Sequence, residues 1–316
     1  LKNNRVIFIL NDKHSEINDQ SSAITYWYGI LENMGYEVVY QPYKEYNTVD
    51  FYKSAKSYNP KFVIFTNYFE KIHTEFQALR EFTKVFLLSS DMHRFYEGHV
   101  KFWIPFVDGI INFEGTKEWC LRDGLQEDGF LKMRWGFNPN TMSYPNMSKD
   151  INILHYGGLH GDRTKMINEF TNKNIDISVS QSVTYEELKQ YLSRSKYSLC
   201  FSLNAVMDRR ELKGRVVEIP AHSVLLTENA DELYDYYDDT EMILFNSVDE
   251  AIEKIKYYNS NVNEYNKILQ NGKRAIWNKN TVYHEWNKIL PKMDSNFKMI
   301  DVAKLLKEKH GDYYES

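Results

Sequence analysis

Cysteine is nearly missing from this 316-residue chain, with Cys120 and Cys200 the only two. They lie far apart, so neither a disulfide framework nor a thiolate zinc site is indicated, and a reducing, cytoplasmic setting is expected. Long apolar runs are missing too. No stretch approaches the roughly 20 residues that span a bilayer, and the first residues run straight into a strand pattern, so neither a membrane span nor a signal peptide is expected. Excess charge is also absent: 39 Lys and Arg against 44 Asp and Glu leave a formal net charge of -5. That balance provides no global attraction to nucleic acid or to an anionic membrane surface, and it disfavours a polynucleotide partner. The histidines show no HExxH or comparable spacing, no Asp-x-Asp stands at a strand end, and Asp238-Asp239 falls in a Tyr-Asp turn. No metal site is expected.

What is present is a repeated alternation of strand and helix patterns. Hydrophobic residues make up 42% of the chain, enough for a large core, and the length suits two domains better than one. Short β-branched and aromatic runs occur at Arg5 to Leu10, Tyr36 to Tyr40, Phe62 to Thr66, Val85 to Ser89 and Gly109 to Phe113. Amphipathic segments such as Ser22 to Met34 and Phe69 to Phe82 separate them, which is the pattern of a βαβ series on a parallel sheet. A Pro, Asn and Ser cluster from Ser143 to Ser148 reads as a linker. A second series follows, with strands at Ile151 to Tyr156, Ile175 to Val179, Tyr197 to Leu203, Val224 to Thr227 and Met242 to Phe245, and a helical stretch from Val262 to Ile289. The expectation is an α/β chain of two Rossmann-like, doubly wound domains, 1–145 and 146–290, with a helical tail over 291–316. Ligands of such sheets bind at the carboxyl ends of the strands, so function is expected in a cleft where the two domains face each other.

The segment richest in chemistry is Lys213-Gly214-Arg215-Val216-Val217-Glu218-Ile219-Pro220-Ala221, followed by the strand pattern Val224 to Thr227. Two cations and a carboxylate at a helix start suit a phosphorylated, ribose-bearing ligand, whereas a solvated helix start is the plainer reading. The run continues through Glu232-Leu233, Glu241 to Phe245 and Val248 to Ile255. Together these resemble the donor half of GT-B glycosyltransferases, and specifically the spore-maturation-protein-like group of the group 1 type. Tyr156-Gly157-Gly158-Leu159-His160-Gly161-Asp162-Arg163 resembles the Gly-rich turn and Arg that open the donor domain there, and Trp135-Gly136-Phe137-Asn138-Pro139 resembles the interdomain signature.

The resemblance implies a hexosyltransferase that takes a nucleotide sugar, UDP-sugar foremost, with no other cofactor. It implies Lys213, Arg215 and Arg163 against the diphosphate beside the Gly157-Gly158 turn, and Glu218 on the ribose hydroxyls. The loop at Val183 and Tyr185 would border the base, although Thr184 with Glu187 three residues on also reads as a capping box. The chain departs from the wider pattern in two places. Arg210 stands where many members have a first Glu, with Glu211 one position off, and His222-Ser223 replaces a small-residue and Gly pair, which leaves His222 to donate a hydrogen bond to the donor.

Transfer to a hydroxyl needs a general base. Asp91 and His93 follow the strand Val85 to Ser89, and His14 follows the first strand, so both loops lie at the carboxyl end of a parallel sheet. Asp91 is the first choice; a helix cap or a polar loop is the competing reading. The acceptor class is open. The alternatives are a non-catalytic GT-B-like binding module, a sugar-nucleotide epimerase or hydrolase, and a DNA-modifying glucosyltransferase of the phage type, which the acidic total disfavours.

Overall fold

The structure is a computed structural model that describes residues 4–10, 29–42, 48–66, 77–89, 96–113, 116–159, 161–181, 183–204 and 209–314. Contacts divide the chain into two compact units, Leu1–Arg134 with Tyr283–Val302, and Trp135–Val282 with Ala303–Ser316.

In the first unit, strands β1 (Arg5–Leu10), β2 (Glu37–Pro42), β3 (Phe62–Thr66), β4 (Lys84–Ser89), β5 (Gly109–Asn112) and β6 (Phe130–Lys132) form one sheet. Its order is β2-β1-β3-β4-β5-β6 and every pairing is parallel. Helices α1 (Thr48–Tyr58) and α2 (Lys117–Arg122) are among its connections. The central strands read as nearly continuous apolar runs because both faces are covered, as in a doubly wound sheet. On one face Ile7, Ile9, Val63, Phe65, Val85 and Leu87 pack with Phe51, Ala55, Trp103 and Cys120 in a single buried cluster.

The second unit carries β7 (Ile151–Tyr156), β8 (Ser178–Ser180), β9 (Ser195–Cys200), a short antiparallel pair β10 (Leu203–Asn204) and β11 (Arg209–Arg210), β12 (Val224–Glu228) and β13 (Ile243–Phe245). The main sheet runs β13-β12-β9-β7-β8, again all parallel. Helices α3 (Asp162–Asn172), α4 (Tyr185–Arg194), α5 (Arg215–Glu218), α6 (Val248–Ser260) and α7 (Val262–Lys279) alternate with the strands. The expected capping box at α4 is present: Thr184 Oγ1 accepts from Glu187 N, and Glu187 Oε2 accepts from Thr184 N. The α/β, doubly wound fold class expected from the sequence holds in both units.

Two features differ from the linear reading. The helical stretch expected from Val262 to Ile289 is two helices, α7 and α8 (Val282–Met293). Phe137 interrupts it: its N–H donates to Asn280 O, its carbonyl accepts from Val282 N, and it bridges to Thr281. Gly136 lets this approach occur, because a Cβ there would stand 2.7 Å from Val282 N. Secondly, α8 returns to the first unit, where Glu285 accepts from both the backbone N–H and the guanidinium of Arg134. Asp294 then accepts from Lys61 Nζ at 2.6 Å and Tyr36 Oη at 3.1 Å. The last helix, α9 (Val302–Tyr314), packs with the second unit, with the His310 ring near Trp277. Both cysteines are free and buried. Among the described residues no helix is long and apolar enough to cross a membrane.

Candidate functional site

A parallel sheet in which the chain starts centrally and then winds both ways has a switch point, where successive crossovers leave to opposite sides and open a crevice at the strand carboxyl ends. In the second unit that point lies between β7 and β9, which are sheet neighbours while β8 lies on the far side of β7. The carboxyl end of β7 is Tyr156, followed by Gly157 and Gly158. Four charged or polar side chains meet there.

Glu218, the last residue of α5, is buried and accepts a hydrogen bond from Tyr156 Oη at 2.6 Å. Arg215, one turn earlier on α5, lies over the Tyr156 ring with its guanidinium carbon 5.2 Å from the centroid. Gly157 has φ +88, and a side chain there would overlap the Arg215 Nη2. Arg163, in the first turn of α3, donates to Gly158 O at 3.0 Å. Among the described residues neither Arg163 nor Arg215 has a carboxylate partner in ion-pair reach.

Their uncompensated charge is felt locally. Burial and the neighbouring Arg215 lower the Arg163 pKa. His155, fully buried one residue before Tyr156, is pushed down to about 3 by burial, then by Arg215 and Arg163, so its imidazole is neutral. Two half-buried cations with no carboxylate in ion-pair reach among the described residues attract an anion. A carboxylate beside them, already fixed by a phenol, is an acceptor pair for a hydroxyl-bearing ligand.

The remaining candidates fall in four groups. Lys213 pairs with the buried Glu211 at 2.9 Å, and Arg210 pairs with the buried Glu228 at 2.9 Å, next to Ser202. Val183 and Tyr185 sit half-buried at the start of α4, on either side of its capping residue. His222 is buried away from the arginines: its ring faces Phe137, its Nδ1 lies 3.2 Å from Ser193 Oγ, and burial pushes its pKa down to about 3. Asp91, His93 and His14 lie outside the described residues. Three participants were not singled out from sequence: Tyr156, His155 and Glu228. Tyr156 and His155 end a strand and look like ordinary sheet residues, and only the Gly pair after them marks the strand end.

Residues 148–291 match the family model described as glycosyl transferase-like, a span that contains Tyr156, Arg163, Arg215 and Glu218. The chain has the two-sheet α/β fold of GT-B glycosyltransferases, and its residues 148–291 are similar to a glycosyl transferase-like family. No curated protein matches it. Solved structures match along most of its length at low identity, which shows the shared fold. HepE of Anabaena, solved with UDP and glucose, is 9% identical, with 92% of this chain and 99% of that one covered and a TM-score of 0.59. Sucrose-phosphate synthase from Thermosynechococcus elongatus is 11% identical, with 92% and 97% covered and a TM-score of 0.60. An α-glucosyltransferase solved with UDP and a 13-mer DNA containing an HMU base is 10% identical, with 92% and 99% covered and a TM-score of 0.65. Among the described residues of this chain, no group of three or more His, Cys, Asp or Glu is placed to hold a metal ion.

Proposed function

We propose that this chain is a glycosyltransferase that binds a nucleoside-diphosphate sugar at the β7 switch point and transfers the sugar, without a metal ion, to a hydroxyl acceptor recognised by the first unit. The observation that carries the reading is the pair of half-buried guanidinium groups, Arg163 and Arg215, which among the described residues have no carboxylate in ion-pair reach and stand near the Glu218 carboxylate held by Tyr156. Departure of a nucleoside diphosphate builds negative charge on the leaving phosphate, and fixed cations stabilise that charge where it develops. Arg163 and Arg215 act there, with Lys213 as a third cation. The Gly157-Gly158 turn borders the diphosphate, with the Arg215 guanidinium in the space a Gly157 side chain would need, and Glu218 accepts hydrogen bonds from the ribose hydroxyls. Val183 and Tyr185 border the base. His222 has no role in this reading, since its ring is buried against Phe137 and Ser193.

UDP-sugar is the preferred donor, in keeping with the UDP and UDP-glucose bound by the HepE structures. The base remains Asp91, with His93 and His14 as its alternates. Asp91→Asn is expected to leave nucleotide affinity within about twofold and lower kcat at least about 100-fold, the split of a group acting only in the transition state. The donor reading itself is tested by thermal shift against UDP-, GDP-, ADP- and dTDP-sugars. A selective rise in melting temperature with UDP-sugars supports it, and no stabilisation by any of them overturns it.

A further inference from the structure

We infer that Tyr156 is the positioning residue of the donor site, orienting the ribose-reading carboxylate and the phosphate-reading guanidinium together; this rests on the donor reading above. Tyr156 and Glu218 are both buried, and the 2.6 Å contact joins the phenol oxygen to Glu218 Oε2. The phenol is the donor in that bond, because an ionised carboxylate only accepts. A hydrogen bond to an ionised partner is among the stronger kinds, and in a buried setting it stops the carboxylate from rotating.

The same ring carries Arg215 on its face at 5.2 Å, a cation–π arrangement. Arg215 and Glu218 stand three residues apart on α5, so they project from one side of that single turn. Tyr156 comes from β7, a different element, and meets that side with its hydroxyl at one residue and its face at the other. The hydroxyl holds the carboxylate and the ring face carries the guanidinium, so the two contacts are separable. Gly157 completes the arrangement, since its missing side chain leaves the space that the guanidinium occupies. One side chain thereby supports ribose recognition through its hydroxyl and diphosphate recognition through its ring, acting through Glu218 and Arg215.

The two contacts separate by substitution. Tyr156→Phe removes the hydroxyl and keeps the ring, whereas Arg215→Lys keeps a charge and removes the planar group stacked on it. Calorimetric titration of the full chain with UDP, 2′-deoxy-UDP and inorganic pyrophosphate reads both. Tyr156→Phe is expected to weaken UDP about 10-fold, to lose most of the preference for UDP over its 2′-deoxy analogue, and to leave pyrophosphate affinity within about twofold. Arg215→Lys is expected to weaken pyrophosphate while the ribose preference persists, and it provides the second reading should the Phe variant not fold. A Tyr156→Phe protein that binds UDP like the wild type overturns the inference alone. So does a parallel loss of UDP and pyrophosphate, which marks a merely structural side chain. Wild-type protein that binds no UDP removes the donor reading and the inference together.

Discussion

At Gly157 the absence of one methyl group keeps Arg215 in place. The backbone is left-handed there, with φ +88, and the space a Cβ needs is filled by the guanidinium. Gly157→Ala is expected to displace Arg215 and weaken UDP at least about 10-fold in calorimetric titration, with only a small fall in melting temperature, because the atoms that move end a flexible side chain. The cost of a non-Gly residue at positive φ adds about 1 kcal/mol to stability loss. The pieces of this site that carry local punctuation were legible: the Gly157-Gly158 turn, Arg163 just after it, and the Arg215 to Glu218 run. Tyr156 was quoted with the turn but given no role, because nothing in a strand-ending tyrosine announces a hydrogen bond to a carboxylate 62 residues away. His222 is placed differently from the reading its sequence position suggests. A polar residue between a helix and a strand looks available, yet packing against Phe137 and Ser193 buries it.

At the scale of elements, strands were the most legible part, since the β-branched runs at β1, β3 and β7 fall where the sequence places them. The break between α7 and α8 was not, because its cause is the backbone of Phe137, which lies far away in sequence and pairs with Asn280 and Val282. Helix periodicity reports a buried face, and it continues across a two-residue gap. The attachment of α8 to the first unit was equally hidden. It depends on Glu285, whose buried carboxylate takes three hydrogen bonds from Arg134 and one from Lys288. Glu285→Ala removes the buried carboxylate to which the half-buried guanidinium and the backbone N–H of Arg134 donate. Urea unfolding is expected to show a loss of about 3 kcal/mol, while Lys288→Ala, which removes only the exposed partner, is expected to cost less than about 1 kcal/mol.

For the molecule as a whole, the buried imidazoles set an acid limit. His155 and His222 are both held down to about 3 against an ordinary value of 6.5, in each case chiefly by burial. Above pH 6.5 they are neutral folded or unfolded and contribute no pH dependence. Below it the unfolded chain takes up protons that the folded chain refuses, so stability falls as pH drops from about 6.5 towards 3. Chemical denaturation at a series of pH values is expected to show that decline beginning near 6.5, above the carboxylate range. A His155→Asn, His222→Asn double variant should move its onset down towards pH 4 to 5. The alternating pattern announced two doubly wound units, but the return of residues 283–302 to the first unit and of 303–316 to the second depends on contacts between distant segments. Nothing in local periodicity records those.

The central claim is that Arg163 and Arg215 form the diphosphate site of a sugar-nucleotide donor. Titration of UDP into the full chain and into Arg215→Ala, each checked for folding by its melting curve, tests it most directly. The account predicts one saturable site in the wild type and at least about 10-fold weaker binding in the variant. Wild-type protein that binds no nucleoside diphosphate, or a folded variant that binds UDP as tightly as the wild type, would contradict it.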